Sequence, residues 1–284
     1  MSAILDELLI AETGTFKQTE FKNSIDETLR TKIPEILKSF SIEGHIVDIE
    51  AGPKVTSVYY DLAPGFSIKA IEAKSDDLQV KLGKSSLSIS KAPEKNAWAI
   101  EVPNSESNSI PFGNVFHSNH IGMSLPAALG VDTKGRPVYL DVAKTPHMLI
   151  AGQTGSGKSV CLYSIITSLA LNCPHTDLQF LLIDPKRVGF RRYRKLHNLI
   201  SGNIITGVEE AILALKWLVQ EMEARNSIID ECGCEDIKEF KHKLNLGQID
   251  EMPLAKTTDM PYIVAVIDEY ADLMMQSSKE LEDI

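Results

Sequence analysis

Eight residues, Gly152-Gln153-Thr154-Gly155-Ser156-Gly157-Lys158-Ser159, constrain this chain more than any other feature. They fit the spacing G-x-x-x-x-G-K-[ST] and lie between two apolar runs. The glycines let the backbone curl so that successive N–H groups converge on phosphate oxygens, and a helix beginning near Ser159 adds its positive end. Lys158 is placed to reach the β- and γ-phosphates of a nucleotide, and the Ser159 hydroxyl to ligate Mg²⁺. Such a loop works only between a strand and a helix, so the motif predicts a strand at His147–Ala151 and a helix at Ser159–Leu171.

The remainder of the second half keeps the same alternation. A strand is predicted at Leu178–Ile183, a helix at Gly207–Cys232 and a strand at Tyr262–Ile267, punctuated by Pro174, Gly202 and the polar stretch Asn245–Asp259. Alternation of this kind builds a parallel sheet covered by helices, an α/β architecture. The last strand ends in Asp268-Glu269, a Walker B pattern, in which Asp268 would hold Mg²⁺ through water and Glu269 would polarise the attacking water as a general base. Apolar strands often end in an acid, so the pair draws its weight from the phosphate loop about 110 residues upstream. Small-molecule kinases of this class activate a substrate hydroxyl rather than water, and the Glu therefore points to hydrolysis.

The first half reads differently. Residues 1–23 are polar and weakly patterned and are expected to be a flexible N-terminal segment. From Ser24, a plausible N-cap, the residues Ile25, Leu29, Ile33, Ile36, Leu37 and Phe40 recur at helical steps, with Pro34 against the pattern. Strand-like runs follow at His45–Glu50 and Lys54–Leu62, then a helix at Ile68–Leu82, then strands at Ser86–Ser90 and Ala97–Val102. The expected organisation is a small α+β domain over residues 24–118 and a P-loop ATPase domain over 119–284.

Twenty-nine Lys and Arg against 39 Asp and Glu give a net charge of −10, which argues against a basic protein that coats nucleic acid non-specifically. A local basic lining is still compatible with that balance, and Lys186, Arg187, Arg191, Arg192, Arg194 and Lys195, interleaved with Phe190 and Tyr193, supply one. A nucleic-acid face, a subunit face and a solvated basic face all fit this pattern. The longest apolar runs reach six residues where a membrane span needs about 20. With four irregularly placed cysteines and an acidic N-terminus lacking a basic leader, the chain reads as cytoplasmic. Cys232-Gly233-Cys234 has no second pair at a zinc-binding interval. Leu213, Trp217 and Met222 read as core positions of a helix.

Several motifs in fixed order then resemble the FtsK/SpoIIIE family of hexameric DNA translocases. These are Leu129-Gly130-Val131-Asp132, Gly135-Arg136-Pro137-Val138, Pro146-His147-Met148-Leu149-Ile150-Ala151-Gly152 with the P-loop, Ile183-Asp184-Pro185-Lys186, Trp217 with Glu221-Met222-Glu223-Ala224-Arg225, and Asp268-Glu269-Tyr270-Ala271-Asp272-Leu273-Met274-Met275. Gly52-Pro53-Lys54-Val55-Thr56, Leu62-Ala63-Pro64-Gly65 and Ile100-Glu101-Val102-Pro103-Asn104 resemble the family's α domain, so the likeness covers roughly residues 40–280. It implies a RecA-like core, ATP and Mg²⁺, double-stranded DNA as partner, a homo-hexamer, and work in chromosome segregation at division or sporulation. The chain departs from the family at Val188-Gly189-Phe190, where Glu-Leu is usual, at Gln153 and Tyr270, and in the Arg cluster.

In the family the rest of the motor core, with a Thr-Gln-Arg-Pro signature and pore-facing loops, follows the position of Ile284. The chain is therefore expected to be a truncated motor whose complete form could be tethered to a membrane. Its trans arginine is expected downstream, Arg225 and the Arg187–Arg194 cluster being the only candidates within the chain. Two further readings are a nucleotide-binding fragment that does not turn over, and a related conjugation or secretion coupling ATPase.

Overall fold

The chain alternates first on a two-residue period and then on the strand–helix rhythm of an α/β protein, and the computed structural model shows both. It describes residues 27–105, 109–116, 122–153, 155–249 and 260–282. The expectations for residues 1–23 and for Ser24 fall outside these. The described residues group into two compact units, 27–116 with 128–140, and 122–127 with 141–282.

In the first unit, β1 (Gly44–Ala51), β2 (Val55–Leu62), β3 (Ser88–Ala92) and β4 (Ala97–Pro103) form an antiparallel sheet in the order β1-β2-β4-β3. Helices α1 (Glu27–Ser39), α2 (Ile68–Glu72) and α3 (Ser75–Leu82) contribute Leu29, Ile33, Leu37, Ile71 and Leu78 to a core shared with Val58, Tyr60, Ile100 and Val102. α1 runs through Pro34. Losing one helical hydrogen bond there costs about 3 kcal/mol, which burial of Leu29, Ile33 and Leu37 at about 1.5–3 kcal/mol each offsets. The single helix expected over Ile68–Leu82 is two, separated by a turn at Ala73-Lys74, and Asp76 and Asp77 in the first turn of the second suit its positive end. β2 lies between β1 and β4 and is covered on both faces: Val58 and Tyr60 face the main core, while Tyr59 packs with Ala92 and Ala99. A hairpin of β5 (Pro126–Val131) and β6 (Pro137–Asp141), where the sequence predicts no strands, follows, and its residues 128–140 belong to this unit.

In the second unit, β7 (Leu178–Ile183) and β8 (Tyr262–Ile267) pair in parallel, Leu178 opposite Tyr262 through Ile183 opposite Ile267. Parallel pairing requires a long crossover, supplied by α5 (Val208–Glu231) and α6 (Ile237–Asn245), with α4 (Lys158–Asn172) preceding β7 and α7 (Tyr270–Glu282) following β8. β7 is held on its other side as well, through bonds such as Phe180 N–H to Asn198 O at 2.7 Å and Asp184 N–H to Ile205 O at 2.8 Å. Leu181, Ile183, Ile205, Ala211 and Leu273 form the adjoining core.

Two further expectations are corrected. Residues 147–151 are not a strand: Leu149 is 83% exposed, and the segment forms no ladder bond among the described residues. A five-residue apolar run holds strand form only through a ladder partner, whatever its propensity. Leu213 (68%), Trp217 (38%) and Met222 (53%) are exposed rather than core. α5 turns Ala211, Ile212, Leu215 and Leu218 inward, so its second apolar stripe is left outside.

Candidate functional site

α4 begins at Lys158, directly after the glycine-rich loop. Gly155 and Gly157 have φ of 81° and 100°, a left-handed region that an L side chain resists, and they turn the chain back so that Ser156 N–H bonds Gln153 O at 3.0 Å. The helix has no side-chain cap, so its first N–H groups remain available to a ligand. Of the loop residues named from the sequence, Gly152, Gln153, Gly155, Ser156, Gly157 and Ser159 are exposed and Lys158 is half-buried; Thr154 lies outside the described residues.

The second half of the site is built at the C-terminal ends of β7 and β8. Asp268 N–H bonds Ile183 O at 2.9 Å, which sets Asp184 and Asp268 side by side in the next register position. Asp184 is buried: its Oδ2 accepts from Phe190 N–H at 3.0 Å, and its Oδ1 has no partner. Burial raises the Asp268 carboxyl above its ordinary range; the charges of Asp184 and Glu269 add to this, and Lys186 and Lys158 oppose it. Lys158, 110 positions away in sequence, is therefore near enough to act on Asp268.

The turn after β7 closes over this carboxylate. A Cβ at Gly189 would meet Asp268 Oδ2, so a side chain here would force the Asp268 carboxylate to turn aside. Phe190 and Tyr193 are fully buried, and the Tyr193 hydroxyl reaches Thr167 Oγ1 at 3.0 Å and Tyr163 O at 3.2 Å on α4. Glu269 sits before α7 with φ of 56°, a strained conformation for a non-glycine residue. Its Oε2 lies 3.3 Å from Lys186 Nζ, which also pairs with Asp272 at 3.2 Å. Sequence reasoning missed Asp184 and Lys186 as members of this cluster; the parallel register that brings Asp-Pro-Lys beside Asp-Glu was the signal that could have found them.

A divalent cation fits these donors. A carboxylate disfavoured as an anion by burial and by acidic neighbours, beside a buried oxygen without a partner, is the environment a cation relieves. The pKa direction gives a prediction. A raised carboxyl contributes stability below its unfolded value, about 3.9, and that contribution is lost as pH rises through its folded value. Asp268→Asn is expected to raise the melting temperature of the nucleotide-free protein at pH 7, by roughly 2 °C. The gain should vanish near pH 3.5, and thermal unfolding at the two pH values checks it.

Arg225 is committed within its own unit: Nε contacts Glu221 Oε1 at 2.7 Å and Nη1 donates to Pro261 O. Cys232 and Cys234 are free thiols, and no group of metal-binding side chains gathers around them among the described residues. No helix among the described residues is long and apolar enough to cross a membrane.

Residues 116–284 match the sequence profile described as the FtsK/SpoIIIE family, and residues 6–104 match that of the FtsK alpha domain. The chain is 38% identical over 269 residues to the DNA translocase FtsK of Leptospira interrogans, an alignment covering 93% of this chain and 28% of that protein. It is 38% identical over 261 residues to the DNA translocase SftA of Bacillus subtilis, covering 90% and 27%. The chain thus spans less than a third of the length of these relatives. Among solved structures, the pCW3 conjugation coupling protein TcpA with ATPγS superposes with a TM-score of 0.47 at 23% identity, over 88% of this chain and 67% of that one.

Proposed function

Because the chain belongs to the FtsK/SpoIIIE family, we propose that it forms the ATP-driven part of a machine that moves double-stranded DNA, assembled as a ring of identical subunits. The observation that carries this reading is the meeting of three elements at one end of the parallel strands: the glycine-rich loop with Lys158, the carboxylates Asp268 and Glu269, and the turn closed over them at Gly189. The names of the relatives support DNA as the substrate.

Each residue then has a task. The N–H groups of Gly155 to Ser159 and the Lys158 ammonium bind the phosphates of ATP and offset their charge. Ser159 and Asp268 would hold Mg²⁺, which, when bound, neutralises charge developing on the phosphate oxygens. Glu269 orients a water for attack on the γ-phosphorus and takes its proton through Oε1, the oxygen not paired with Lys186. The γ-phosphoryl group passes to that water, and ADP leaves with the bonding electrons. A site of this kind in a ring is completed by an arginine from the adjacent subunit, a cation worth about 10³–10⁵ in rate.

The direct test is Lys158→Ala. Losing a charge-assisted contact to phosphate costs about 1.5–3 kcal/mol, so affinity for a non-hydrolysable ATP analogue with Mg²⁺ should fall about 10- to 150-fold. Equal affinity of the two proteins by calorimetry would remove the phosphate-binding assignment and the proposed function with it.

A further inference from the structure

We infer that the turn at residues 187–195 is a duplex-DNA contact built on the nucleotide site, gripping the phosphate backbone without reading bases. The inference rests on the DNA-motor reading and assigns it a surface. Arg187, Arg191, Arg192, Arg194 and Lys195 place five cations within nine residues of a chain whose net charge is −10. All five are exposed, and none forms an ion pair among the described residues. Lys186, the preceding residue, is by contrast spent on Glu269 and Asp272. An unneutralised cluster on an acidic protein is held against its self-repulsion by the fold beneath it, and it offers a polyanion a local field that the molecule as a whole lacks.

The anchoring decides what kind of polyanion. The two aromatics within the cluster, Phe190 and Tyr193, are buried at 0% and 1% exposure. They cannot act as platforms for stacked bases, which removes the usual device for holding single strands. What remains outward is charge. Residues 191–193 form a 3₁₀ turn, in which positions three apart eclipse, so Arg191 and Arg194 project from one side about 6 Å apart, a spacing suited to phosphates along one strand. Arg192 lies with its guanidinium carbon 4.3 Å from the centroid of the Tyr163 ring, a contact that fixes the turn to α4 and leaves the N–H edge free. Contacts of this type position a duplex and carry no sequence information.

The same turn touches the chemistry. Phe190 N–H is bonded to Asp184, and the backbone at Gly189 abuts Asp268. A pull on the cations is therefore transmitted over a few rigid residues to the carboxylate assigned to Mg²⁺, which gives DNA engagement a short mechanical route to the hydrolytic site.

The test is salt-dependent binding of the full-length protein to a labelled 40-base-pair duplex, for the parental protein, Arg191→Gln/Arg194→Gln and Arg191→Lys/Arg194→Lys. Each lost phosphate contact lowers the slope of log K against log salt by about 0.9. The Gln pair should lower it by about 1.8 for each subunit whose turn engages the duplex, so that the affinity lost between 50 and 200 mM salt shrinks about tenfold per engaged subunit; the Lys pair should keep the parental slope. Affinity for an ATP analogue should be unchanged in both variants, which also reports that the nucleotide unit is folded. A scrambled duplex should bind equally. A parental protein that binds no duplex defeats the DNA-motor reading itself. A parental protein that binds, with the Gln pair retaining the parental slope, overturns this inference alone. Loss of turnover without a change in slope, or loss of binding only to phosphatidylserine vesicles, would assign the cluster to a neighbour's nucleotide or to lipid and overturn it equally.

Discussion

Replacing Glu269 by Gln is expected to leave Mg-ATP bound and to lower steady-state turnover by about 10²–10⁴-fold. The amide keeps the size of the carboxylate and can still align a water, but it cannot accept the proton that the water must lose as it attacks. Binding should survive because the phosphate contacts come from the loop at Gly155 to Ser159, on the N-terminal end of α4, and not from the residue after β8. Loss of the Lys186 ion pair should cost little, since both partners are largely exposed, with side-chain accessibilities of 53% and 39%. The measurement pairs ATP-analogue calorimetry with DNA-stimulated phosphate release by the full-length protein. Hydrolysis at the parental rate would show that another group takes the proton.

The largest structural effect is expected from Phe190→Ala, which should lower stability by about 3–5 kcal/mol, as truncation of a fully buried phenylalanine does. Its ring centroid lies 6.3 Å from that of Tyr193, and its own N–H is the donor to Asp184 Oδ2. The cavity therefore opens beneath the turn that both covers Asp268 and displays the arginines. Denaturant unfolding reads the stability loss, with Phe190→Leu as a milder volume change expected to cost less. A loss below 1 kcal/mol for the alanine variant would mean that the turn is held by its hydrogen bonds alone.

The parts legible in the sequence are those in which chemistry and local geometry coincide. The P-loop motif requires glycine at 157, and the positive φ there, shared by Gly155 in the same loop, is its direct expression. β7, apolar but for Gln179, and β8 are readable as near-continuous apolar runs because strands buried in parallel sheets do not alternate. Where tertiary context decides, the reading failed. His147–Ala151 has the composition of a strand and lacks its ladder; Leu213 and Trp217 have the spacing of a core and face outward, since α5 already fills its inner face with Ala211, Ile212, Leu215 and Leu218. The β5–β6 hairpin escaped notice, although Asp132 marks its turn by accepting from the N–H groups of Lys134 and Arg136, both at 2.9 Å. In the site, Asp268 and Glu269 could be named from sequence. Asp184 and Lys186 could not, because their importance lies in register across two strands 84 and 83 positions apart. Gly189 reads as a departure from a familiar pattern, and in the structure it is the position where a Cβ would displace the Asp268 carboxylate.

The left-handed backbone at Glu269 sets a trap for anyone improving this protein by breeding rather than by design. A non-glycine residue in that region costs about 1–3 kcal/mol, so glycine at 269 would be a ready gain for any screen that rewards heat resistance alone. Such a lineage would discard its proton acceptor early and yield hardy, soluble, nucleotide-loaded molecules that do no work. Retaining the motor would require every round to score turnover alongside survival, because at this one residue the two demands pull in opposite directions.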